Sequence, residues 1–567
     1  MLDTHDPALA GRARWARRLG GAPLWAHALA LAGVLLVVGQ LLGPGTYSAD
    51  EGAAIIEARS LAEGEGWIVE HPLPDADPTG ARYPLELSEW GERGTAPYAK
   101  HPLYPVLLAV ADRVGGVRAM VALSALGTAA AAMVAAALGR RLRAGIEQPT
   151  LWVVGLASPL LFGSTWVIAH NLGAAAVGAA LVAALRAGER ADPRWSLVAA
   201  GLLGVALALR TEAVVVAGAL VLVALVQALR GRGGAWAWTA GAAVAAVLVT
   251  RWAEGRAHSA ILGESRPAPR SPSAAGDGSL VGDRWAGFVQ TWLRPGGGTG
   301  AALLLAALAL FGFVTWKVAR GEHERVLVRR FAVVAAALVV VRALLLPADA
   351  VPGLLVAFPL LWVGIALAPR GLVTDRSGRN VAVGLAGVSG VAALGILATQ
   401  YRAGGTAEWG GRYFAVLLPL VTPLAVAGLA ERAARIDARS RRVLGGSLLA
   451  ATAALSLLAM REVRGGRERS ERAVDAIEQA VAGLPVPVIL ATEGAVPRTA
   501  WRTFPEQRWL LVDPADPAVV PDLLAAGVDR FVVVSRDVEG ALAQLGGLRR
   551  VPGAPKLGGI AVVEAIP

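Results

Sequence analysis

Residues 24–52 read LWAHALALAGVLLVVGQLLGPGTYSADEG, and the change of character within this stretch decides the fold. The run from Leu24 to Leu42 is apolar almost throughout and about 28 Å long as a helix, close to the roughly 30 Å hydrocarbon core of a bilayer. The Gly-Pro-Gly that follows is no signal-peptide cleavage site, so we expect the run to be retained. Asp50 and Glu51 come soon after it. The stretch predicts a first membrane span followed at once by an acidic loop.

Comparable apolar runs recur as far as Met460, which indicates an all-α polytopic membrane protein. Of the 567 residues, 55% are hydrophobic and only 17% are charged, whereas soluble domains carry about 25% charged residues. The chain has no cysteine, which excludes disulfides, thiol catalysis and cysteine-ligated metals. The net charge of +11 comes from arginines in short loops rather than from one basic face, so membrane topology explains it and no nucleic-acid partner is expected.

The basic loops predict how the chain threads the membrane, because lysine and arginine mark the cytoplasmic side. The stretches 150–186 and 195–229 are too long for one span and basic at both ends. Each is therefore predicted to be a hairpin, with exterior tips at His170-Asn171 and Arg210-Thr211-Glu212. The path has about thirteen transmembrane helices, with the N-terminus inside and the C-terminus outside. The predicted cytoplasmic loops are 139–148, 187–194, 230–234, 319–330, 370–379 and 431–442.

The last hundred residues change character and predict a small α/β domain outside the membrane. Short apolar strands (PVPVILAT, RWLLVD and RFVVVS, between residues 485 and 535) alternate with the helix-like AVVPDLLAAG, and a segment of this length suffices for a small domain. The sequence thus divides the chain into a cytoplasmic segment 1–23, a membrane domain 24–460 with a first exterior loop 43–101, and an extracytoplasmic α/β domain 461–567.

The first exterior loop carries eleven acidic residues against four basic ones, and a loop of this size rarely serves as a connection alone. Within it, EGAAIIEARSLAEGEGW (51–67) has apolar residues at helical spacing, which is typical of a helix lying in the membrane interface. Such a helix would hold Asp50 and Glu51 in place. The alternatives are that Asp50 caps this helix and that Glu51 only favours its dipole.

Three further polar groups interrupt apolar sequence on the same predicted side, where ionisable residues usually serve a site or a partner. The segment YAKHPLYPVLLAVADRVGG (98–116) has an apolar part, 103–111, that is too short to span and is expected to be re-entrant or interfacial. Alternatives are an ordinary interfacial histidine, a salt bridge at a hairpin tip and an interfacial anchor. The residues of these groups are Lys100 and His101, Arg210 and Glu212, and Glu408, Arg412 and Tyr413.

In their order and sidedness these motifs resemble the GT-C glycosyltransferases, nearest to the protein mannosyltransferase and aminoarabinose transferase group, over residues 24–430. The resemblance implies an inverting transfer of a sugar from a polyprenyl-phosphate-linked donor to an acceptor hydroxyl. It implies Asp50 as the general base, supported or replaced by Glu51, and His101 with Lys100 as contacts to the lipid phosphate or donor. Further donor-binding residues are expected to be Arg210 with Glu212, and Arg412 with Tyr413. The chain departs from the family in Arg210-Thr211-Glu212, where Arg-Pro-Glu is more usual, and in having only Pro102 after His101.

The expected partners are the lipid bilayer, the polyprenyl-phosphate-linked sugar and a glycan, glycolipid or protein acceptor, in the plasma (inner) membrane with the site outside. No cofactor is assigned and the metal requirement is open, since Asp75-Ala76-Asp77 imitates a metal-binding DxD but is predicted to be a turn. The alternative function is a transporter or lipid-linked-sugar flippase, which also uses interrupted, charged helices. A transporter would need a path open to both faces, whereas a transferase needs a cavity on the outer face.

Overall fold

The structure is a computed structural model, mostly helical at 73%, and the chain is a multi-pass membrane protein. Seven helices in the described part are long and apolar enough to cross a bilayer, and 194–209 and 213–229 are shorter apolar helices. The predicted count of thirteen spans stays a prediction. The structure describes residues 22–43, 45–78, 80–85, 89–98, 100–231, 234–263, 265–266, 280–296, 298–347, 351–368, 376–399, 409–482, 484, 488–552 and 559–566.

The helices are numbered in chain order. Those of the membrane part and its loops are α1 Leu24–Leu41, α2 Ala49–Glu63, α3 Leu103–Leu142, α4 Glu147–Trp152, α5 Leu160–Gly163, α6 His170–Arg190, α7 Arg194–Leu209, α8 Ala213–Leu229, α9 Gly234–Leu262, α10 Leu280–Phe288, α11 Gly298–Ala319, α12 Val326–Leu345, α13 Leu354–Ala357, α14 Pro359–Leu367, α15 Arg376–Thr399, α16 Leu418–Arg435 and α17 Ala438–Val481. Those of the C-terminal region are α18 Ala495–Thr499, α19 Val519–Ala525 and α20 Val538–Leu545.

The membrane helices pack through small residues. The largest apolar cluster joins α3, α6, α7, α8, α15 and α16, and alanine is its most frequent residue. Gly428 of α16 faces Gly364 of α14 so closely that an added Cβ would lie 2.2 Å from the carbonyl oxygen of Gly364. Close backbone approach of this kind replaces the hydrophobic driving force that helices lack in lipid.

Both predicted hairpins are present. α7 and α8 are joined at Arg210-Thr211-Glu212, and α6 begins at His170. The part of the first hairpin that precedes its tip at His170 is not one helix. In this part α4 is followed by a π-helix at Val153–Ala157 and then by the short α5. Breaks of this kind are tolerated at membrane depth where neighbouring helices enclose the backbone.

The apolar part at 103–111 lies in the first part of α3, a short helical segment that ends at a kink. Gly115 and Gly116 have non-helical backbone angles at this kink, and a second helical segment continues from there to Leu142. Gly116 has a φ of +61°, a conformation that side-chain-bearing residues rarely adopt, so the glycine pair allows the change of direction. The first loop therefore leads into a short helical segment, and its re-entrant or interfacial placement stays a prediction.

The first loop also takes part in a small antiparallel sheet. The order of its strands is β2-β1-β3, and β3 comes from the segment after α9, so the sheet ties the first loop to that segment. The strands are β1 Glu89–Gly91, β2 Gly94–Ala96 and β3 Ser265–Arg266.

The C-terminal region has the predicted α/β character, with two strands more than predicted. Its five-stranded sheet has the order β5-β4-β6-β8-β7, in which β4 pairs parallel with β5 and β6, and β8 pairs antiparallel with β6 and β7. The strands are β4 Val488–Ala491, β5 Arg508–Leu511, β6 Arg530–Val534, β7 Leu548–Arg550 and β8 Ile560–Ala565.

This region does not stand apart from the rest of the chain. α17 has 44 residues and is about 66 Å long, so the boundary expected at residue 461 falls inside one unbroken helix. Leu73 and Ala76 of the first loop belong to the same apolar cluster as the strands of the C-terminal sheet. Arg82 donates hydrogen bonds to Asp516 and Asp522, each at 2.8 Å. The first loop and the C-terminal region therefore pack as one unit.

The helix expected in the membrane interface is α2. Its apolar residues Ala54, Ile55 and Ala58 are fully or almost fully buried, and they share a cluster with α3 and with the C-terminal sheet. α2 is thus enclosed between α3 and the C-terminal region.

Candidate active site

The first turn of α2 carries the two acidic residues that the sequence points to. Ser48 is the N-cap of this helix, and its hydroxyl oxygen accepts a hydrogen bond from the backbone N–H of Glu51 at 3.3 Å. The alternative in which Asp50 caps α2 is therefore wrong. Because the cap is supplied by Ser48, the carboxylate of Asp50 is available for contacts outside its own helix.

Asp50 lies between two arginines from distant parts of the chain. Its Oδ2 accepts a hydrogen bond from Nη1 of Arg412 at 3.0 Å, and its Oδ1 lies 3.5 Å from Nη1 of Arg498. The Asp50 side chain is 52% exposed, whereas the Arg412 side chain is 24% exposed. The structure therefore joins the acidic loop to the Gly-Gly-Arg-Tyr motif, as the sequence predicts.

The local backbone explains why Arg412 stands there. It opens a 3-10 helix, Arg412–Leu417, directly after Gly410 and Gly411, whose φ angles are +72° and +71°. A Cβ at Gly410 would lie 2.3 Å from Pro159, and one at Gly411 would lie 2.6 Å from Thr291. Only glycine fits both positions. The neighbouring Glu408 lies outside the described residues.

Arg210 and Glu212 form an ion pair at the tip between α7 and α8. Arg210 donates from Nε at 3.0 Å and from Nη2 at 2.7 Å to the two carboxylate oxygens of Glu212. Both side chains are almost buried. Gly173 makes room for the pair, because a Cβ there would lie 2.7 Å from the Arg210 side chain.

Lys100 and His101 differ in their surroundings although they are adjacent. His101 is buried, with Nδ1 3.2 Å from Glu254 and Nε2 3.1 Å from the Thr211 hydroxyl, so both ring nitrogens are engaged. Lys100 is exposed and has no ion pair in the part of the chain that the structure describes. His101 therefore ties the end of the first loop to the hairpin tip. Of these two side chains, only that of Lys100 is exposed.

Tyr413 and Glu51 occupy supporting positions. Tyr413 is buried, and its ring centroid lies 5.3 Å from Cζ of Arg412. Glu51 is buried, and its two carboxylate oxygens accept hydrogen bonds from the backbone N–H groups of Val167 at 2.8 Å and Tyr47 at 2.7 Å. Glu51 points into the protein, away from the position that Asp50 occupies.

The site carries an excess of positive charge. Among the described residues, the cations Lys100, Arg210, Arg412 and Arg498 face the carboxylates Asp50 and Glu212, which leaves two positive charges unbalanced. Partial shielding from water by the surrounding protein raises the pKa of Asp50. The charges of Arg412 and Arg498 together lower it more, so that the pKa of Asp50 lies below the usual aspartate range. The same partial shielding, together with the charge of Arg210, lowers the pKa of Lys100. Such a group of residues is suited to binding an anion.

One functional candidate, Arg498, carries little signal in the sequence. Arg498 lies in GAVPRTA, where nothing distinguishes it from a surface arginine.

A small cavity adjoins Arg412. It is lined by polar residues together with aromatic and small ones. Its lining residues are Pro159, Phe162, Gly163, Ile168, His170, Asn171, Trp409, Gly411, Arg412 and Ala415. The cavity places the tip of the first hairpin, His170-Asn171, next to the same arginine that contacts Asp50.

Asp75 and Asp77 form the predicted turn. Asp77 accepts hydrogen bonds from the backbone N–H groups of Ala81 and Arg82 and contacts Nε2 of His71 at 3.0 Å. Within the described ranges, the one group of three side chains spaced to hold a metal ion is elsewhere, at His323, Glu324 and Asp437 in the loops that join α11 to α12 and α16 to α17.

Comparison with known proteins finds similarity of structure only. No family model matches the chain. No curated protein matches its sequence. Among solved structures, the Archaeoglobus fulgidus oligosaccharyltransferase in complex with Zn and sulfate is 13% identical with a TM-score of 0.50, over 92% of this chain and 70% of that one. ArnT from Cupriavidus metallidurans bound to undecaprenyl phosphate is 14% identical with a TM-score of 0.48, over 95% of this chain and 97% of that one. The likeness to the oligosaccharyltransferase shows a shared fold.

Proposed function

We propose that the chain is a membrane glycosyltransferase that transfers a sugar, with inversion, from a polyprenyl-phosphate-linked donor to an acceptor hydroxyl outside the cytoplasm. The observation that carries the proposal is the contact between Asp50 and Arg412, because it places a carboxylate within reach of a group of cations. A carboxylate is able to take the proton of a hydroxyl, and the cations are able to balance the charge of a departing phosphate.

Asp50 is the general base in this proposal. It takes the proton of the acceptor hydroxyl while the acceptor oxygen forms a bond to the anomeric carbon of the sugar. The bond from that carbon to the phosphate oxygen breaks at the opposite face, and its electron pair stays on the phosphate. The products are a glycoside of inverted configuration, a polyprenyl phosphate and a protonated Asp50, which then releases the proton to water.

Several cations bind the donor phosphate together, and neighbouring residues hold these cations in place. Arg412, Arg210 and Lys100 bind the donor phosphate and balance the charge that it gains. Glu212 and Tyr413 keep Arg210 and Arg412 in place, and His101 fixes the loop that carries Lys100. Glu51 supports the first turn of α2 through its backbone hydrogen bonds, and we assign it no proton transfer.

The ion pair of Asp50 with Arg412 belongs to the state without donor. When the phosphate binds, Arg412 turns its charge to the phosphate, and Asp50 becomes accessible to the acceptor. The proposed site lies on the outer side of the plasma membrane, opposite the arginine-rich loops. Acceptors of the right chemistry are the hydroxyls of a polysaccharide, a glycolipid or a protein.

Replacement of the base tests this function. The full-length chain and the Asp50→Asn variant are reconstituted in liposomes with tritiated lipid-linked sugar prepared from source-cell membranes and with an envelope glycan extract as acceptor. We expect the wild type to move tritium to the acceptor and Asp50→Asn to lose about 10²- to 10⁴-fold in rate. Asp75→Asn, an exposed aspartate of the same loop, is the matched control and keeps full activity.

Two outcomes would contradict the proposal. Near-normal transfer by a well-inserted Asp50→Asn chain removes Asp50 from the mechanism. Translocation of the labelled donor across the liposome membrane without transfer to any acceptor identifies a flippase instead. Comparison of envelope glycans from cells with and without the chain then names the sugar and its linkage.

A further inference from the structure

The second cation on Asp50 comes from the C-terminal region rather than from the membrane helices. Arg498 lies on α18, and its side chain is 9% exposed. Its Nε donates a hydrogen bond to the carbonyl oxygen of Gly494 at 3.0 Å, while Nη1 lies 3.5 Å from Oδ1 of Asp50. Arg498 is thus anchored at one edge of its guanidinium and contacts the carboxylate with the other.

The docking of α18 on α2 fixes this contact. Gly52 lies two residues after Asp50, and a Cβ at that position would lie 1.8 Å from the carbonyl oxygen of Arg498. Thr46, just before α2, donates a hydrogen bond to the carbonyl oxygen of Thr499 at 3.4 Å and lies 3.1 Å from the hydroxyl of Ser470. Backbone approach this close leaves α18 little freedom to move relative to Asp50.

The two arginines that contact Asp50 therefore differ in their freedom to move. Arg412 is the more exposed of the two and lines the cavity beside the site. Arg498 is more deeply buried and held by its own helix. A phosphate is able to draw Arg412 away, but Arg498 stays beside Asp50.

We propose, on the basis of the proposed function, that Arg498 is a positioning residue that keeps Asp50 oriented and ionised after Arg412 has moved to the donor phosphate. The C-terminal region is then part of the active site rather than an accessory to it. Without Arg498, Asp50 would face the acceptor with no fixed rotamer and with a higher affinity for its proton.

The test is the pH dependence of sugar transfer by the full-length chain carrying Arg498→Gln. Asp50 works as a carboxylate, so activity is lost as the pH falls through its pKa, and loss of a cation raises that pKa. We expect the acid limb of kcat to move up by about one pH unit and kcat at its plateau to fall roughly tenfold to hundredfold. KM for the tritiated donor stays within a factor of about two. Among the described residues, the charged and titratable groups that face Asp50 are Arg412, Arg498, Arg210, Tyr98 and Lys100.

Matched variants separate positioning from general structure. Arg502→Gln removes an arginine of the same segment that pairs with Asp475 and Glu478 on the surface, and it leaves the acid limb in place. Arg498→Lys keeps the charge and returns the acid limb toward that of the wild type, although lysine lacks the second donor that anchors arginine. An unmoved acid limb in Arg498→Gln overturns the proposal.

A second route to the same contact guards against a variant that fails to fold. Gly52→Ala removes no charged side chain but forces α18, and Arg498 with it, away from α2, and we expect it to shift the acid limb in the same direction. Gly218→Ala, in a helix where a Cβ meets nothing within 4 Å, is the control. Normal kinetics in Gly52→Ala contradict the proposal. Absence of transfer by the wild type refutes the proposed function instead, so the two failures are distinguishable.

Discussion

Asp50 and Glu51 are adjacent, yet the structure gives them opposite surroundings. Neighbouring residues of a helix do not face the same way, so one side chain points toward Arg412 and Arg498 and the other into the interior. Asp50 meets two arginines, whereas Glu51 meets two backbone N–H groups. Burial raises the pKa of Glu51, and the charge of Arg467 opposes this. The pair therefore consists of one exposed ionised carboxylate and one buried structural carboxylate.

The phosphate-binding role of the arginines is testable by affinity. We expect Arg412→Gln and Arg210→Gln each to weaken the binding of polyprenyl phosphate about tenfold to hundredfold, because a hydrogen bond to a charged group contributes about 1.5–3 kcal/mol. Binding is measured by titration of the purified chain in detergent. Arg464→Gln, which removes an exposed surface pair with Glu468, leaves the affinity unchanged. Wild-type affinity in both site variants would defeat the assignment.

The movement of Arg412 predicts a difference between two pH profiles. The acid limb of kcat/KM reports the free chain, in which Arg412 and Arg498 both lower the pKa of Asp50, while the limb of kcat reports the donor-bound state. Once Arg412 has turned to the phosphate, the pKa of Asp50 rises. We therefore expect the acid limb of kcat at a pH about one unit above that of kcat/KM. Steady-state rates across the acid range measure both, and coincident limbs show that Arg412 stays on Asp50.

At the level of elements, α2 acts as the holder of the base. Glu51 links its first turn to Tyr47 and Val167, and Arg467 of α17 lies 3.8 Å from Glu51. Arg467 is itself buried and donates to the carbonyl oxygens of Gly43 and Thr165. The start of α2, the tip of the first hairpin and α17 thus meet around one buried carboxylate.

This arrangement predicts that Glu51→Ala destabilises the chain. The substitution leaves two backbone N–H groups without an acceptor and Arg467 without its carboxylate, which costs about 3–5 kcal/mol. We expect a lower unfolding temperature in a thermal scan of the purified protein. Glu63→Ala, at the exposed end of the same helix, changes stability by less than about 0.5 kcal/mol. An unchanged unfolding temperature in Glu51→Ala would refute a structural role.

The sequence predicts elements well where their pattern is local. The hairpin tip at Arg210-Thr211-Glu212 follows from basic ends and span length, and the C-terminal strands follow from short apolar runs between turns. The short apolar part at 103–111 follows from its length, and the helical segment that contains it ends at Gly115 and Gly116, where the chain changes direction. The π-helix at Val153–Ala157 has no local signature.

At the level of the whole molecule, the candidate site is assembled from three parts. The first loop supplies Asp50 and Lys100, the membrane helices supply Arg210 and Arg412, and the C-terminal region supplies Arg498. Motif order and loop sidedness were enough to predict that the first two parts meet. The position of the C-terminal region depends on a tertiary contact at Gly52, where the backbones of α2 and α18 meet. No residue pattern near Arg498 predicts this contact.

The contact of Arg498 with Asp50 puts the C-terminal region and the first loop on one side of the membrane. Which side that is rests on the arginine-rich loops, and the absence of native cysteine makes it measurable. Glu539 lies on an exposed helix of the C-terminal region, and Arg439 lies at the N-terminal end of α17. Each is replaced by cysteine, as Glu539→Cys and Arg439→Cys. In spheroplasts we expect a membrane-impermeant maleimide to label Glu539→Cys at once, and Arg439→Cys only after permeabilisation. Because α17 is about 66 Å long, more than twice the hydrocarbon thickness, its two ends should report opposite compartments. The reverse pattern would place the site in the cytoplasm and invert the proposed orientation.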